Sequence, residues 1–429
     1  MTRRTRPGAI VELEIDALGA GGDGMAAQGG KRYFVPYTLA GDRVRARVTG
    51  RRGDVLTTEV VERLADGPDR VTPPCTHFGV CGGCALQHLD DATYGEWKRQ
   101  RVVTALARRG LGDVTVGAVT RTAPGARRRA TLLAIRRKHD TAIGFRAPSS
   151  NRVVPLTECP VLDASLVALF EPLSGLFTAL IEPGQWAEAQ LSVVATGIDL
   201  VIAAPAVPDL TQRERIAGFA ADHDLAQISW RHPDDDEPEL MVRRRGAQMV
   251  FGGITVDAPA GAFLQPSDQG EAILVAEVSA ALAGASRIAD LYAGSGAFTF
   301  ALAEQAPVHA VEGMAAMVAA INSAAGRSGL DGRVTAVARD LERLPMLANE
   351  LTGFDAVIFD PPRAGARRQA EALAESAVPT IVAVSCHPGT FSRDARALVD
   401  GGYVIDRVVP VDQFLWSPHV ELVAVFRRP

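Results

Sequence analysis

From about residue 270 the sequence alternates short apolar, β-branched runs with stretches of helical spacing. No other feature restricts the fold as strongly. The runs are "RIADLY", "VHAVEG", "VTAVARD", "FDAVIFDPP", "TIVAVSC", "YVIDRVVPVDQF" and "HVELVAVFRR"; the helical stretches include "MAAMVAAINSAAGRSG", "RRQAEALAESA" and "GTFSRDARALVDGG". Apolar strands alternating with helices predict a doubly wound, mostly parallel α/β sheet. Such sheets bind ligands at the carboxyl ends of their strands. The residues just past those ends are therefore the first place to look for chemistry.

Four strand ends stand out. "DLYAGSGAF" (290–298) puts a glycine turn between a strand and a helix, where backbone can approach a ligand at the helix N-terminus. The dinucleotide fingerprint asks for a third glycine, which is missing here. Glu312 ends the next strand, where a carboxylate can accept hydrogen bonds from ribose hydroxyls. Together they fit S-adenosylmethionine at least as well as NAD. "FDPPR" (359–363) closes the fourth strand. An aromatic residue after such a Pro-Pro pair would suit an exocyclic amine target; Arg363 stands there instead, and a simple capping acid fits the aspartate equally. "VAVSCHPGTF" ends a further strand in Cys386.

Cys386 is one of five cysteines in 429 residues. Few cysteines in a long chain without an apolar signal core argue for metal binding or catalysis rather than a disulfide framework. Cys75, Cys81 and Cys84 form C-x5-C-x2-C, and Cys159 supplies a fourth thiol. Four thiolates suit a cuboidal iron–sulfur cluster or tetrahedral zinc. The spacing is not the C-x3-C-x2-C of radical enzymes.

The rest of the chain points to more than one domain. Residues 8–63 read as short strands separated by the glycine turns "GAGGDG" and "AQGGK", which fits a small β-barrel of a kind that often binds oligonucleotides. "DGPDRVTPP" is a linker, "DDATYGEWKRQRVVTALARRG" has helical spacing with a basic face, and residues 127–162 read as strands. A helical stretch near 163–181, the strands "AQLSVVAT" and "DLVIAAP", and the acidic surface loop "HPDDDEPE" follow. Residues 1–159 carry 26 Lys and Arg against 16 Asp and Glu, while the remainder carries 19 against 34. A basic N-terminal third suggests a polyanion-binding portion. No run of about 18 uncharged apolar residues suggests a membrane span, and the N-terminal "MTRRTRPGAIVELEID" does not read as a secretion signal.

With these residues in view, the chain resembles the RNA uridine-C5 methyltransferases, most of all the RlmD-like enzymes of 23S rRNA. The motifs "CTHFGVCGGC", "GFRAPSSNRVVPLTECPVL", "GAFLQ", "DLYAGSGAF", "VEG", "DPPR", "SCHPGTFSRD" and "HVE" fall in family order. The resemblance implies a TRAM-like, OB-type barrel over 1–66 and an iron–sulfur-bearing central α+β domain over 67–260. It implies a class I, Rossmann-like methyltransferase domain over 261–429. It makes Cys75, Cys81, Cys84 and Cys159 the ligands of a [4Fe-4S] cluster. Gln265, Tyr292, Glu312, Asp340 and Asp360 then line the S-adenosylmethionine pocket, Cys386 is the nucleophile, and Glu421 removes the C5 proton. It further implies a cytoplasmic monomer acting on RNA, with 23S rRNA as the substrate.

The implied chemistry suits these residue types. A thiolate adding to uracil C6 turns the ring into an enolate whose C5 can accept a methyl group. The thiol should then be ionised, and His387, Arg363 and the helix N-terminus near Thr390 are candidates for lowering its pKa. The target base must leave its stack to reach the thiol. Three positions depart from the family pattern: Ser267 and His387 stand where Asn is usual, and Ala297 where a polar residue is common. Two other readings compete: a metal-containing RNA-binding protein without activity, and a tRNA methyltransferase.

Overall fold

A computed structural model describes residues 7–235 and 237–429. The first six residues of the N-terminal stretch and Asp236 of the acidic loop lie outside the described residues. The chain begins with six strands: β1 (Ile10–Glu14), β2 (Ala17–Leu18), β3 (Gly24–Gln28), β4 (Lys31–Val35), β5 (Arg43–Arg52) and β6 (Val55–Ala65). They form one sheet in the order β1-β5-β6-β4-β3-β2. It curls until the Asp16 backbone N–H donates to the Met25 carbonyl at 2.8 Å. The alternation seen in the sequence sorts the faces: Leu13, Ile15, Tyr33, Val35, Val44, Ala46 and Val48 fill the interior. The outward Arg43, Arg45 and Arg47 pair across strands with Glu12, Glu62 and Glu59 at 2.9, 3.0 and 2.7 Å. β3 was hidden among the turn glycines, because "GMAAQ" buries little besides Ala26 and shows hardly any alternation.

Helix α1 (Asp91–Ala107) follows the cysteine-rich loop and starts at Asp90, whose carboxylate accepts from the backbone N–H groups of Ala92 and Thr93. Its buried Val102 and Leu106 pack with Val357, Phe359 and Phe426 of the C-terminal sheet. Next comes β7 (Thr120–Arg121), then β8 (Arg129–Arg136), β9 (Thr141–Arg146), β10 (Val153–Pro155), α2 (Ala164–Val167) and α3 (Phe170–Leu180). β11 (Trp186–Val194), β12 (Gly197–Ala203), α4 (Leu210–Asp222), β13 (Gln227–Arg231) and β14 (Glu239–Arg243) complete the second sheet. Its order is β10-β9-β8-β11-β12-β13-β14, and its core holds Leu132, Leu191, Leu200 and Ile202 against Leu173, Phe177 and Ile216 of the helices.

A hairpin of β15 (Gln248–Phe251) and β16 (Ile254–Asp257) leads to α5 (Asp268–Ala281), β17 (Ile288–Leu291), α6 (Ala297–Leu302), β18 (Val308–Glu312) and α7 (Ala315–Arg327). Then follow β19 (Val334–Ala338), β20 (Ala356–Phe359), α8 (Arg367–Ala374), β21 (Thr380–Ser385), α9 (Pro388–Asp400), β22 (Val404–Asp412) and β23 (Glu421–Arg427). The third sheet runs β19-β18-β17-β20-β21-β23-β22-β7. β17 to β21 are parallel and β23 is antiparallel to its neighbours. This is the predicted doubly wound sheet. Two pieces from before residue 261 join it: β7 extends its edge beside β22, and Met249, Phe251 and Val256 of the hairpin pack on Phe300 and Ile321. Among the described residues no helix is long and apolar enough to cross a membrane.

Candidate active site

The switch in strand order beside β17 opens a cavity of about 710 Å³ over the carboxyl ends of the third sheet. Gln265, Tyr292, Glu312, Asp340, Asp360, Cys386 and Glu421, residues drawn from seven separate stretches of the chain, all line it. Its volume lies in the range of small-molecule pockets.

The glycine turn shapes one end. Gly294 and Gly296 have φ of 55° and 93°, and Tyr292 adopts φ 63° without being glycine. A tyrosine in the left-handed region stores strain of the kind that collects at binding sites. Glu312 accepts from the backbone N–H groups of Gly294 and Met314, both at 2.9 Å. Its carboxylate is thereby fixed at the end of β18, facing the turn. Beneath it Asp290 is buried with Thr299 donating to Oδ2 at 2.5 Å, and burial pushes its carboxyl up to about 7.

The other end holds the reactive groups. Gln265 Nε2 donates to Asp360 Oδ2 at 3.2 Å. Gln413 Nε2 donates to Gln265 Oε1 and to Glu421 Oε2, each at 2.9 Å. Burial pushes Asp360 up to about 7. Burial, aided by the Asp360 charge, pushes Glu421 well above the ordinary carboxylate range. Gln265 is gripped from behind by the central sheet: Arg128 Nε donates to its carbonyl at 3.0 Å, and Arg129 Nη1 donates to the Leu264 carbonyl at 2.9 Å.

The Cys386 thiol is not depressed, against expectation. Burial first, then the facing Glu421 and Asp360 charges, push it up to about 11, and Arg363 opposes them more weakly. His387 is spent elsewhere. It is the N-cap of α9, and its Nδ1 accepts from the Thr390 backbone N–H at 3.2 Å. An acceptor at that point serves the helix as Asn would, so the departure at 387 keeps the cap. Ser267 does the same for α5, its hydroxyl accepting from the Gly270 N–H at 3.0 Å. Ala297 lines the cavity at the first turn of α6 and offers no polar contact.

Other cavity residues escaped the sequence reading. Phe263 is 53% exposed at the cavity edge and stacks with the Arg129 guanidinium, 4.7 Å from the ring centre. An exposed aromatic between the buried Ala262 and Leu264 was the available signal. Arg127 and Phe414 line both this cavity and a second one of about 390 Å³. Cys75, Cys81, Cys84 and Cys159 all line that second cavity.

Within it, burial pushes Cys84 up to about 12 and raises Cys81 and Cys159 as well. The Gly83 N–H donates to Cys81 Sγ at 3.4 Å. Among the described residues, the ligand atoms that gather within 4.8 Å of one another as a group of three are those of Cys75, His77 and Glu158. The loop behind them is tied to the β22–β23 connection, as the backbone N–H groups of Ala85 and Leu86 donate to the Trp416 carbonyl at 2.9 and 3.0 Å. That connection is anchored from the other side by a fully buried ion pair between Lys98 of α1 and Asp412. Tyr94 donates to the same carboxylate at 2.6 Å.

Comparison with known proteins gives consistent results. The family model described as tRNA (Uracil-5-)-methyltransferase matches residues 253–428. A Caulobacter vibrioides protein named "Uncharacterized RNA methyltransferase" is 41% identical, over 97% of this chain and 100% of its own length. The 23S rRNA (uracil(1939)-C(5))-methyltransferase RlmD of Chromohalobacter salexigens is 36% identical, over 97% of this chain and 89% of its own. Among solved structures, the Pyrococcus abyssi tRNA (uracil-54, C5)-methyltransferase, in complex with S-adenosyl-L-homocysteine, superposes with a TM-score of 0.76 at 23% identity. That match covers 97% of this chain and 99% of the other.

Proposed function

The chain belongs to the RNA uracil-5-methyltransferase family, and from that membership we propose that it methylates C5 of a uridine in 23S rRNA, with Cys386 as nucleophile and Glu421 as base. The observation that carries the reading is a shared cavity: the thiol, the raised carboxyl and the glycine-turn acid Glu312 all face it. The 23S assignment leans on the identity to the RlmD relative along nearly the whole chain.

Glu312, Tyr292 and Asp340 are placed to hold S-adenosylmethionine, which supplies an electrophilic methyl group. Cys386 Sγ forms a bond to uracil C6, and the ring electrons move toward O4 and C5. C5 would then take the methyl group, the methyl–sulfonium bond breaking to leave a neutral thioether. Glu421 removes the remaining C5 proton, the C5–C6 double bond re-forms, and the S–C6 bond breaks to release the thiolate. A carboxyl with a raised pKa is a stronger base once ionised, which suits proton removal from carbon.

We also read Cys75, Cys81, Cys84 and Cys159 as ligands of a [4Fe-4S] cluster. Burial raises Cys81, Cys84 and Cys159, and a cation among them would favour their thiolates. Tetrahedral zinc, with Zn–S near 2.3 Å, would draw its sulfurs to roughly 3.8 Å from one another. The four cysteines line one cavity of about 390 Å³, and four thiolates around such a space would suit a cluster. Residues 1–66 then act as a TRAM-like RNA-binding barrel, 67–260 as the cluster-bearing domain and 261–429 as the methyltransferase.

The test supplies unmodified 23S rRNA and tRNA transcripts with labelled S-adenosylmethionine and identifies the methylated nucleoside. 5-Methyluridine in 23S rRNA, lost in Cys386→Ala, is expected. Full activity of Cys386→Ala would overturn the mechanism, and label in tRNA alone would overturn the substrate. Iron and sulfide analysis should give about four of each per chain; zinc in their place would refute the cluster.

A further inference from the structure

Resting on that reading of Cys386 and Glu421, we propose that Gln413 is a positioning residue that fixes which end of the Gln265 amide faces the base. It thereby sets the choice of uracil over cytosine and holds Glu421 for proton removal. Gln413 follows directly on β22, is 3% exposed, and lies behind the cavity wall rather than in it. Its amide nitrogen contacts Gln265 Oε1 and Glu421 Oε2, both at 2.9 Å. The fold leaves room for this side chain. A Cβ at Gly270, in the first turn of α5, would stand 2.5 Å from Gln413 Oε1 and 2.8 Å from its Cβ.

The direction of the chain of bonds follows from one end. An ionised Glu421 can only accept, so Gln413 must turn its NH2 toward it. The second N–H of that group then needs an acceptor, which forces Gln265 to present Oε1. Gln265 is left with its NH2 facing outward. One N–H goes to Asp360 Oδ2 at 3.2 Å, and the other is free for the cavity that Cys386 also lines. A base held at Cys386 through a C4 carbonyl accepts from that N–H. Cytosine would set its exocyclic amine against it, donor facing donor. A buried site built to hydrogen-bond one group rejects an analogue that cannot return the bond. Without Gln413 the Gln265 amide can rotate and offer its oxygen to cytosine.

The test uses the full-length protein and 23S rRNA transcripts carrying uridine or cytidine at the position that wild type methylates. Gln413→Met keeps the length of the side chain and removes both N–H donors; Gln413→Glu is isosteric and removes them with less loss of polarity. The expected result is a fall of at least about tenfold in the uridine-to-cytidine ratio of kcat/KM. With it, the covalent protein–RNA adduct on uridine should live several-fold longer, read as a slow-migrating band in denaturing gels. Unfolding midpoints and S-adenosylmethionine calorimetry identify a folded, cofactor-binding variant, and if the Met protein does not fold the Glu protein decides. Unchanged base preference and adduct lifetime in such a variant overturn the proposal. So does a uniform slowing on both bases, which would mean packing alone. Failure of the underlying reading looks different: wild type itself would leave uridine C5 unmethylated.

Discussion

At the scale of single residues, the cysteine thiol is held in its protonated form by what surrounds it. Burial and two facing carboxylates push Cys386 up to about 11. Below that pKa the thiolate fraction grows about tenfold per pH unit. Iodoacetamide labelling of Cys386 in the free protein, followed by peptide mass spectrometry, should therefore accelerate about tenfold per unit between pH 7 and 9. A rate already flat above pH 7 would contradict this. Glu421→Gln removes the nearest opposing charge and should speed labelling at any fixed pH in that range; on RNA the same variant should accumulate the covalent adduct. Glu421 came from the family resemblance; Cys386 was legible as a candidate in the sequence because it follows the end of an apolar strand, where the fold puts ligands. Gln413 was not. Its role comes from Gln265, 148 positions away, and nothing in "VDQF" marks one glutamine as different from another.

At the scale of elements, the strands and helices of the C-terminal sheet followed from periodicity, while the faces of α1 did not. Helical spacing gave the α1 stretch a basic face, without singling out Lys98. In the fold it is fully buried, because α1 lies against β22 and Lys98 meets Asp412, 314 positions later. Its ammonium also donates to the carbonyls of Phe414 and His419. One side chain thus fastens both ends of the loop between Gln413 and Glu421. Removing one partner of a buried pair strands the other charge. Lys98→Met should cost ~3–5 kcal/mol in urea unfolding, and adding Asp412→Leu should recover part of that loss. A single variant as stable as wild type would show that the pair contributes little.

At the scale of the whole molecule, the N-terminal excess of positive charge is less available than the sequence suggested. Arg43, Arg45 and Arg47 each face a glutamate across the barrel, a pairing set by strand register that no count of charges reveals. If these arginines do not neutralise phosphates, replacing all three with Gln should change the salt slope of binding to a 23S rRNA fragment by less than one. Anisotropy titrations across salt concentrations would show it; a slope reduced by about three would mean that the arginines leave their partners for RNA. The domain borders were legible only in outline. Residues 91–121 and 248–257 precede the methyltransferase segment yet pack into its sheet, because the edges of a doubly wound sheet recruit whatever apolar surface the chain delivers there.

The contacts between α1 and the β22–β23 connection also bear on how the protein is made. Strand β22 and the loop carrying Gln413 must dock on a helix translated more than 300 residues earlier. A nascent chain made only as far as β22 lacks β23, the strand that lies between β21 and β22. Until β23 is made, β21 and β22 have no strand between them, so the third sheet can close only after the loop carrying Gln413 has emerged.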